Sequence, residues 1–502
     1  MKKNNIKAGI IFNYLFIAVS NICSLLIVPV FRNGLGDQTY GVYLLAVSVF
    51  TFFAVSDYHI GTAFITEIAR RNKDEGKKTL GTYVFGMLPV YSILAVLMSL
   101  VCVGVAEVYP LLFRASMSGT DIDLFRNMLR FMSLNCFLLF FQNYLFSIIT
   151  GLGFLVFTRV CNIIKIILRT ALLMIFIAGG HGPVAVVFGD IILTFVIIIT
   201  FILFIVYVKA PFSVTGAERG LFRKNLLSII MLYAMPLLDN LYWAYCIQLV
   251  GRKISPEAVV EFNIALVFCQ VFIQMSATLS HLRMGEIAEI DSLGDKGRMR
   301  DHITGTGILQ AICLGFILIG FAAFGKTFIS LWLGKSMANG VYPIALIMMC
   351  AMFLPLSHAM LEIELYVKKG YHLRTFVFAV MTASNMVAAT AFIRLGPSGA
   401  AWAIALTMTL FGFGLMNVMY EKAGIPSWKY TAEMFGKIGP PLLASFSILL
   451  LIRFLKVESL AAETALSFIP AILFMLLVYL ISLTGHQRTK LKETILKTLH
   501  LW

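Results

Sequence analysis

The chain has 502 residues, of which 60% are hydrophobic and 13% charged, with a formal net charge of +15 and a mean hydropathy of +0.89. That composition excludes a water-soluble globular protein, whose surface needs about twice that share of charged side chains. It leaves an all-α polytopic membrane protein, because segments this long and uniformly apolar are helices rather than barrel strands, and only helices or closed barrels satisfy their backbone inside lipid.

Fourteen segments of roughly bilayer length, each near the ~20 residues that span about 30 Å of hydrocarbon, follow one another along the chain. A short basic N-terminus leads into the first, at 9–31, which continues without a small-residue cleavage site and reads as a retained span. The others of the first half are expected at 40–66, 81–108, 127–150, 154–178 and 184–208. Those of the second half are expected at 226–250, 258–280, 303–325, 341–367, 372–393 and 399–420, followed by two extra helices at 438–455 and 462–484.

With the N-terminus in the cytoplasm, the cytoplasmic segments collect 27 Lys and Arg against 10 on the other side, and both termini face the cytoplasm. This bias, with attraction to anionic headgroups, accounts for the net charge without nucleic acid. The eight cysteines fall singly within apolar runs and read as fillers, so neither disulfide nor metal is expected. Asp121 and Asp123 read as a solvated turn in the longest outer loop.

An internal repeat is suggested by two turns that carry an acidic residue before a new helix. They are Leu35-Gly36-Asp37-Gln38-Thr39-Tyr40-Gly41-Val42-Tyr43 and, 219 residues later, Ile254-Ser255-Pro256-Glu257-Ala258-Val259-Val260-Glu261-Phe262. Six spans separate them, so the halves would be parallel repeats. The expected organisation is an N-terminal lobe over 1–208, a basic cytoplasmic linker over 209–225, a C-terminal lobe over 226–420, and two further helices with a basic tail over 421–502.

Polar residues inside the spans are the candidate site. A Lys or Arg at a helix centre costs roughly 2.5–3.5 kcal/mol on insertion scales, which favours cavities or partners. On the fifth span Thr158, Asn162, Lys165 and Arg169 recur at helical spacing, a stripe with two positive charges suited to an anion. The alternative is a pair of snorkelling or ion-paired structural residues, with Asp57, Asp190 or Asp239 as partners. Arg130 reads as an interface anchor. Asn13 with Asn21, and Gln270 with Gln274, are either interhelical contacts or ligands. Asp57 and Asp239 are candidates for ion coupling, and Glu362, one turn after His358 and close to Glu364, for gating.

The block Arg32-x-x-Leu35-Gly36-x-x-x-Tyr40-Gly41-x-Tyr43, with Asn13-Tyr14-Leu15, Pro29 and the segment from Asp57 to Ala63, resembles the Wzx-type O-antigen and teichoic acid flippases of the multidrug/oligosaccharidyl-lipid/polysaccharide (MOP) exporter superfamily. The resemblance implies fourteen helices in two lobes, no covalent chemistry and no cofactor. It also implies a cationic central cavity for the headgroup of an undecaprenyl-diphosphate-linked oligosaccharide, carried across the bacterial inner membrane from the cytoplasmic to the outer leaflet, with Arg32 among its binding residues. The partners it implies are that lipid, the bilayer, and polysaccharide polymerase and chain-length machinery. This chain departs from the pattern at His59, where the family has glycine after Asp57-Tyr58, and at Tyr245 and Cys246. The competing readings are a multidrug/cation antiporter, which resembles this chain less because residues 9–31 hold no Asp or Glu, a lipid II flippase, whose family places arginine within the first span, and a membrane glycosyltransferase or ligase.

Overall fold

The computed structural model describes residues 3–54, 58–74, 77–208, 221–281, 283–368, 370–454 and 460–482. Every regular element among them is helical. In order these are α1 (Lys3–Ala54), α2 (Tyr58–Asp74), α3 (Lys77–Val108), α4 (Gly119–Gly151), α5 (Leu155–Ala178), α6 (Pro183–Tyr207), α7 (Leu221–Lys253), α8 (Pro256–His281) and α9 (Met284–Ser292). They continue with α10 (Lys296–Leu333), α11 (Lys335–Ser357), α12 (Ala359–Val367), α13 (Tyr371–Phe392), α14 (Pro397–Thr407), α15 (Met416–Lys422), α16 (Ser427–Phe454) and α17 (Leu460–Leu477). Eleven helices among the described residues are long and apolar enough to cross a membrane, and Leu466–Ser482 forms a shorter apolar one. The protein is therefore a multi-pass membrane protein.

The first two predicted spans share α1. Its two arms meet at Gly36, whose φ of 77° and ψ of 158° are open to glycine and strained for other residues. Arg32 and Asp37 bridge that kink, Nε to Oδ1 at 2.7 Å. The second predicted span, 40–66, falls on the second arm of α1, described as far as Ala54, and on α2, which takes the chain into polar sequence. There Arg70 foremost, with Arg71, holds the Glu67 carboxyl down at about 2, and the Arg71 guanidinium lies 4.4 Å from the Tyr83 ring centre.

The chain forms two compact units. One comprises residues up to 267 with 386–400, the other residues 268–385 with those from 401. In the first, Ile149, Cys161, Ile197 and Phe201 join α4, α5 and α6. Ser118 and Asp121 form a capping box at the start of α4, and Gln38 donates to Asp121 Oδ2 at 2.6 Å. Asp121 is thus buried and structural, which corrects its reading as a solvated turn. The amide from the first turn and the cap hydroxyl replace the water it would otherwise need.

In the second unit, Ala322, Ala323 and Leu449 form a cluster joining α10 and α16. The predicted tenth span is broken between α11 and α12 at Ser357 and His358, where Pro355 removes a helix donor. Non-helical backbone at membrane depth persists only where protein satisfies it. Here Ser276 Oγ donates to the Leu356 carbonyl at 2.9 Å, Gln310 Nε2 to the same carbonyl at 3.0 Å, and the Tyr430 hydroxyl to the Ser357 carbonyl at 2.6 Å. Gln310 is fully buried, with Ser276 and Ser280 as its other partners. Gln310→Leu keeps the volume but withdraws the donors, and is expected to cost about 1–3 kcal/mol. A thermal midpoint equal to wild type in detergent would show that the break does not depend on this amide.

Candidate functional site

The predicted polar stripe lies on α5. Its lipid-like face carries Ile164, Leu168 and Ile175, all well exposed, and the charged residues sit on a different face of the helix. Arg169 reaches α6 in a two-pronged pair with Asp190, Nε to Oδ1 at 2.6 Å and Nη2 to Oδ2 at 2.9 Å. Its Nη2 also donates to the Tyr43 hydroxyl of α1 at 3.4 Å. One turn earlier, Lys165 Nζ donates to Gln142 Oε1 of α4 at 2.6 Å and to Thr194 Oγ1 of α6 at 3.3 Å. Thr194 in turn donates to the Asp190 carbonyl at 2.8 Å.

Four helices thus converge on one polar cluster inside the first unit. Its carboxylate, Asp190, is one of the three that the sequence offered as structural partners, and the guanidinium is neutralised by this neighbour. The Lys165 ammonium is different, because the two atoms it donates to are both neutral. Gln142 and Thr194 are buried, while Arg169 and Asp190 keep 36% and 20% of their side-chain exposure. The cluster therefore has an open edge.

The other candidates fall elsewhere. Thr158 is fully buried, with its hydroxyl donating to the Leu155 carbonyl, and Asn162 is partly exposed on the stripe. Arg32 is engaged at the Gly36 kink. The Asn13 side chain and all of Asp57 lie outside the described residues. Gln270 is exposed, and Gln274 is partly buried with interactions of its own. Asp239 is exposed and accepts from Trp243 Nε1 at 3.2 Å. Glu362 pairs with Arg374 at 2.5 Å and accepts from the Tyr366 hydroxyl at 2.8 Å, while Glu364 pairs with Lys368. His358 is buried between the Leu354 carbonyl and Thr431 Oγ1.

Reasoning from sequence did not include Tyr43, Gln142 or Thr194. Tyr43 lies in the sequence block quoted above, and Gln142 is a rare amide within an apolar run, which is the signal that could have drawn attention to it. A separate cavity of about 770 Å³ lies in the second unit, lined by Asp295, Arg300, Glu364, Lys368, Glu421 and Tyr430 among others. These come from segments that the Lys/Arg bias assigns to the cytoplasmic side, and their mixed signs make no anion site. No group of His, Cys, Asp and Glu suited to a metal occurs among the described residues.

No protein-family model matches the sequence. No curated protein matches it either. Solved structures do match. The chain is similar to the lipid II flippase MurJ in an inward closed conformation, with TM-score 0.72 and 13% identity over 94% of this chain and 99% of that one. It is also similar to an inward-facing multidrug resistance MATE family transporter of the MOP superfamily, with TM-score 0.69 and 16% identity over 82% and 94% of the two chains. A third likeness is to the eukaryotic MATE transporter AtDTX14, with TM-score 0.60 and 15% identity over 84% and 98%. At these identities the likeness speaks to the fold, and the fold of this chain is that of the MOP-type transporters.

Proposed function

We propose that the protein is a flippase that carries an undecaprenyl-diphosphate-linked oligosaccharide, such as an O-antigen or other surface-polysaccharide repeat unit, from the cytoplasmic to the outer leaflet of a bacterial inner membrane. The observation that carries this reading is the α5 cluster. Lys165 and Arg169 stand together at membrane depth, the ammonium donating to two neutral acceptors, in a fold shared with a lipid flippase. A diphosphate stripped of water inside hydrocarbon is prohibitively costly, and cationic and amide contacts replace its hydration. The lipid tail stays in the bilayer while the headgroup crosses. Two lobes, over 1–208 and 226–420, rock to alternate access, with both termini in the cytoplasm.

A second reading, transport of lipid II, is favoured by the near-complete coverage of the MurJ chain. It differs in the glycan and keeps the same diphosphate chemistry. Reconstitution into liposomes tests the proposal. With undecaprenyl-diphosphate oligosaccharide in one leaflet, headgroups are expected to become accessible from the other only when the protein is present. Absence of movement, together with exchange of a cationic drug for protons or sodium, would replace the flippase by an antiporter.

A further inference from the structure

We infer that Asp190 is a built-in substitute for the substrate's phosphate: its carboxylate fills the guanidinium fork of Arg169, and the diphosphate headgroup takes its place on binding, with uptake of one proton. This rests on the reading of Lys165 and Arg169 as the anion site. Carboxylate and phosphate present the same two-oxygen edge to a guanidinium, which is why Arg recognises both bidentately. The pair on α5 and α6 has that fork geometry, at 2.6 and 2.9 Å. It is not sealed, since both side chains retain exposure through which a phosphate oxygen can approach.

Counting charges gives the proton. Lys165 and Arg169 supply two positive charges, and a lipid diphosphate glycoside brings two negative ones. With the ligand in place the Asp190 carboxylate is one charge in surplus, and the reaction that removes it is R–COO⁻ + H⁺ → R–COOH, the proton coming from water. The charged and titratable groups about Asp190 are Arg169 and Lys165 of α5 and Tyr43 of α1, which sense one another electrostatically. From α4 comes the neutral Gln142. Tyr43 accepts from Arg169, so its own hydroxyl proton is available to the incoming phosphate or to the displaced carboxyl.

The exchange also explains release. A guanidinium left bare among apolar helices is costly, so the returning carboxylate competes the headgroup off and keeps affinity moderate.

The test uses the full chain in lipid nanodiscs, with farnesyl-diphosphate-linked N-acetylglucosamine, a diester carrying the same two negative charges as the lipid diphosphate glycoside, as the probe. Titration calorimetry at neutral pH in two buffers of different ionisation heat is expected to show close to one proton taken up per ligand by the wild type. Asp190→Asn, which removes the competitor, is expected to bind about tenfold more tightly without proton uptake, and to flip more slowly because release is impaired. A structural Asp190 predicts the opposite split, with binding and flipping falling together. Wild-type binding without proton uptake, or weaker binding by Asp190→Asn, overturns the exchange and leaves the anion site standing. If Asp190→Asn does not fold, the wild-type proton count decides. If folded wild-type protein binds no farnesyl-diphosphate-linked N-acetylglucosamine, the anion-site reading itself fails.

Discussion

Replacing Lys165 with glutamine is expected to lower flipping about 10- to 100-fold while the protein still inserts and melts near the wild-type temperature. The two hydrogen bonds of this ammonium go to Gln142 and Thr194, both neutral, so its positive charge remains available for a ligand. A hydrogen bond to a charged group is worth about 1.5–3 kcal/mol, or roughly one to two powers of ten in binding. Glutamine at 165 can still bond the Gln142 amide, which is why folding survives. Lys165→Arg keeps the charge and should retain most transport. The readout is the initial rate of headgroup appearance in the far leaflet, beside a thermal melt of the same preparation. Wild-type flipping by Lys165→Gln would remove this residue from the site, and faster drug exchange would point to a cation carrier. Charge reversal at Arg169 is a poorer experiment, because it sets a second carboxylate against Asp190 and reads out folding.

The spans were legible because nothing else explains such long apolar runs, and the described parts of the predicted segments are helical for most of their length, the tenth being broken at Ser357 and His358. What was not legible is which face of each helix meets protein. On α5, buried Ile163, Leu173 and Ile177 and exposed Ile164, Leu168 and Ile175 are chemically the same, because lipid is as apolar as the core. Periodicity therefore marks the polar stripe and stays silent about its partners. Asp190 was one of three carboxylates named for Arg169, and only packing selects it. The break at Ser357 was hidden for a similar reason: one proline inside an apolar run reads as a bend, and the donors that stabilise a true interruption, Ser276, Gln310 and Tyr430, come from three distant segments. Asp121 shows the converse error, since a carboxylate beside Ser and Thr in a loop looks solvated until the cap and Gln38 are seen.

Gly41→Val is expected to disrupt the meeting of the two segments that the sequence paired as a repeat. Gly41, on the second arm of α1, faces the first residue of α8 so closely that a Cβ there would fall inside the Pro256 carbonyl group, with the Pro256 Cα at 2.9 Å. The obstacle is backbone, so no rotamer change relieves it. Nearby on the same arm, Gln248 of α7 donates to the Leu45 carbonyl at 3.0 Å and to Ser48 Oγ, and Leu45 packs against Gly251. Pushing α1 away from α8 thus also strains a buried amide contact. Overpacking of this kind costs about 1–3 kcal/mol, more when the neighbour cannot yield. Gly41→Ala should lower the thermal midpoint, and Gly41→Val should lower it further and cut flipping at least tenfold, because the clash is with backbone and cannot be relieved without moving α1 or α8. Scanning calorimetry and the liposome assay on one series check both effects. A Gly41→Val protein that melts and flips as wild type would mean that the two helices do not approach each other this closely.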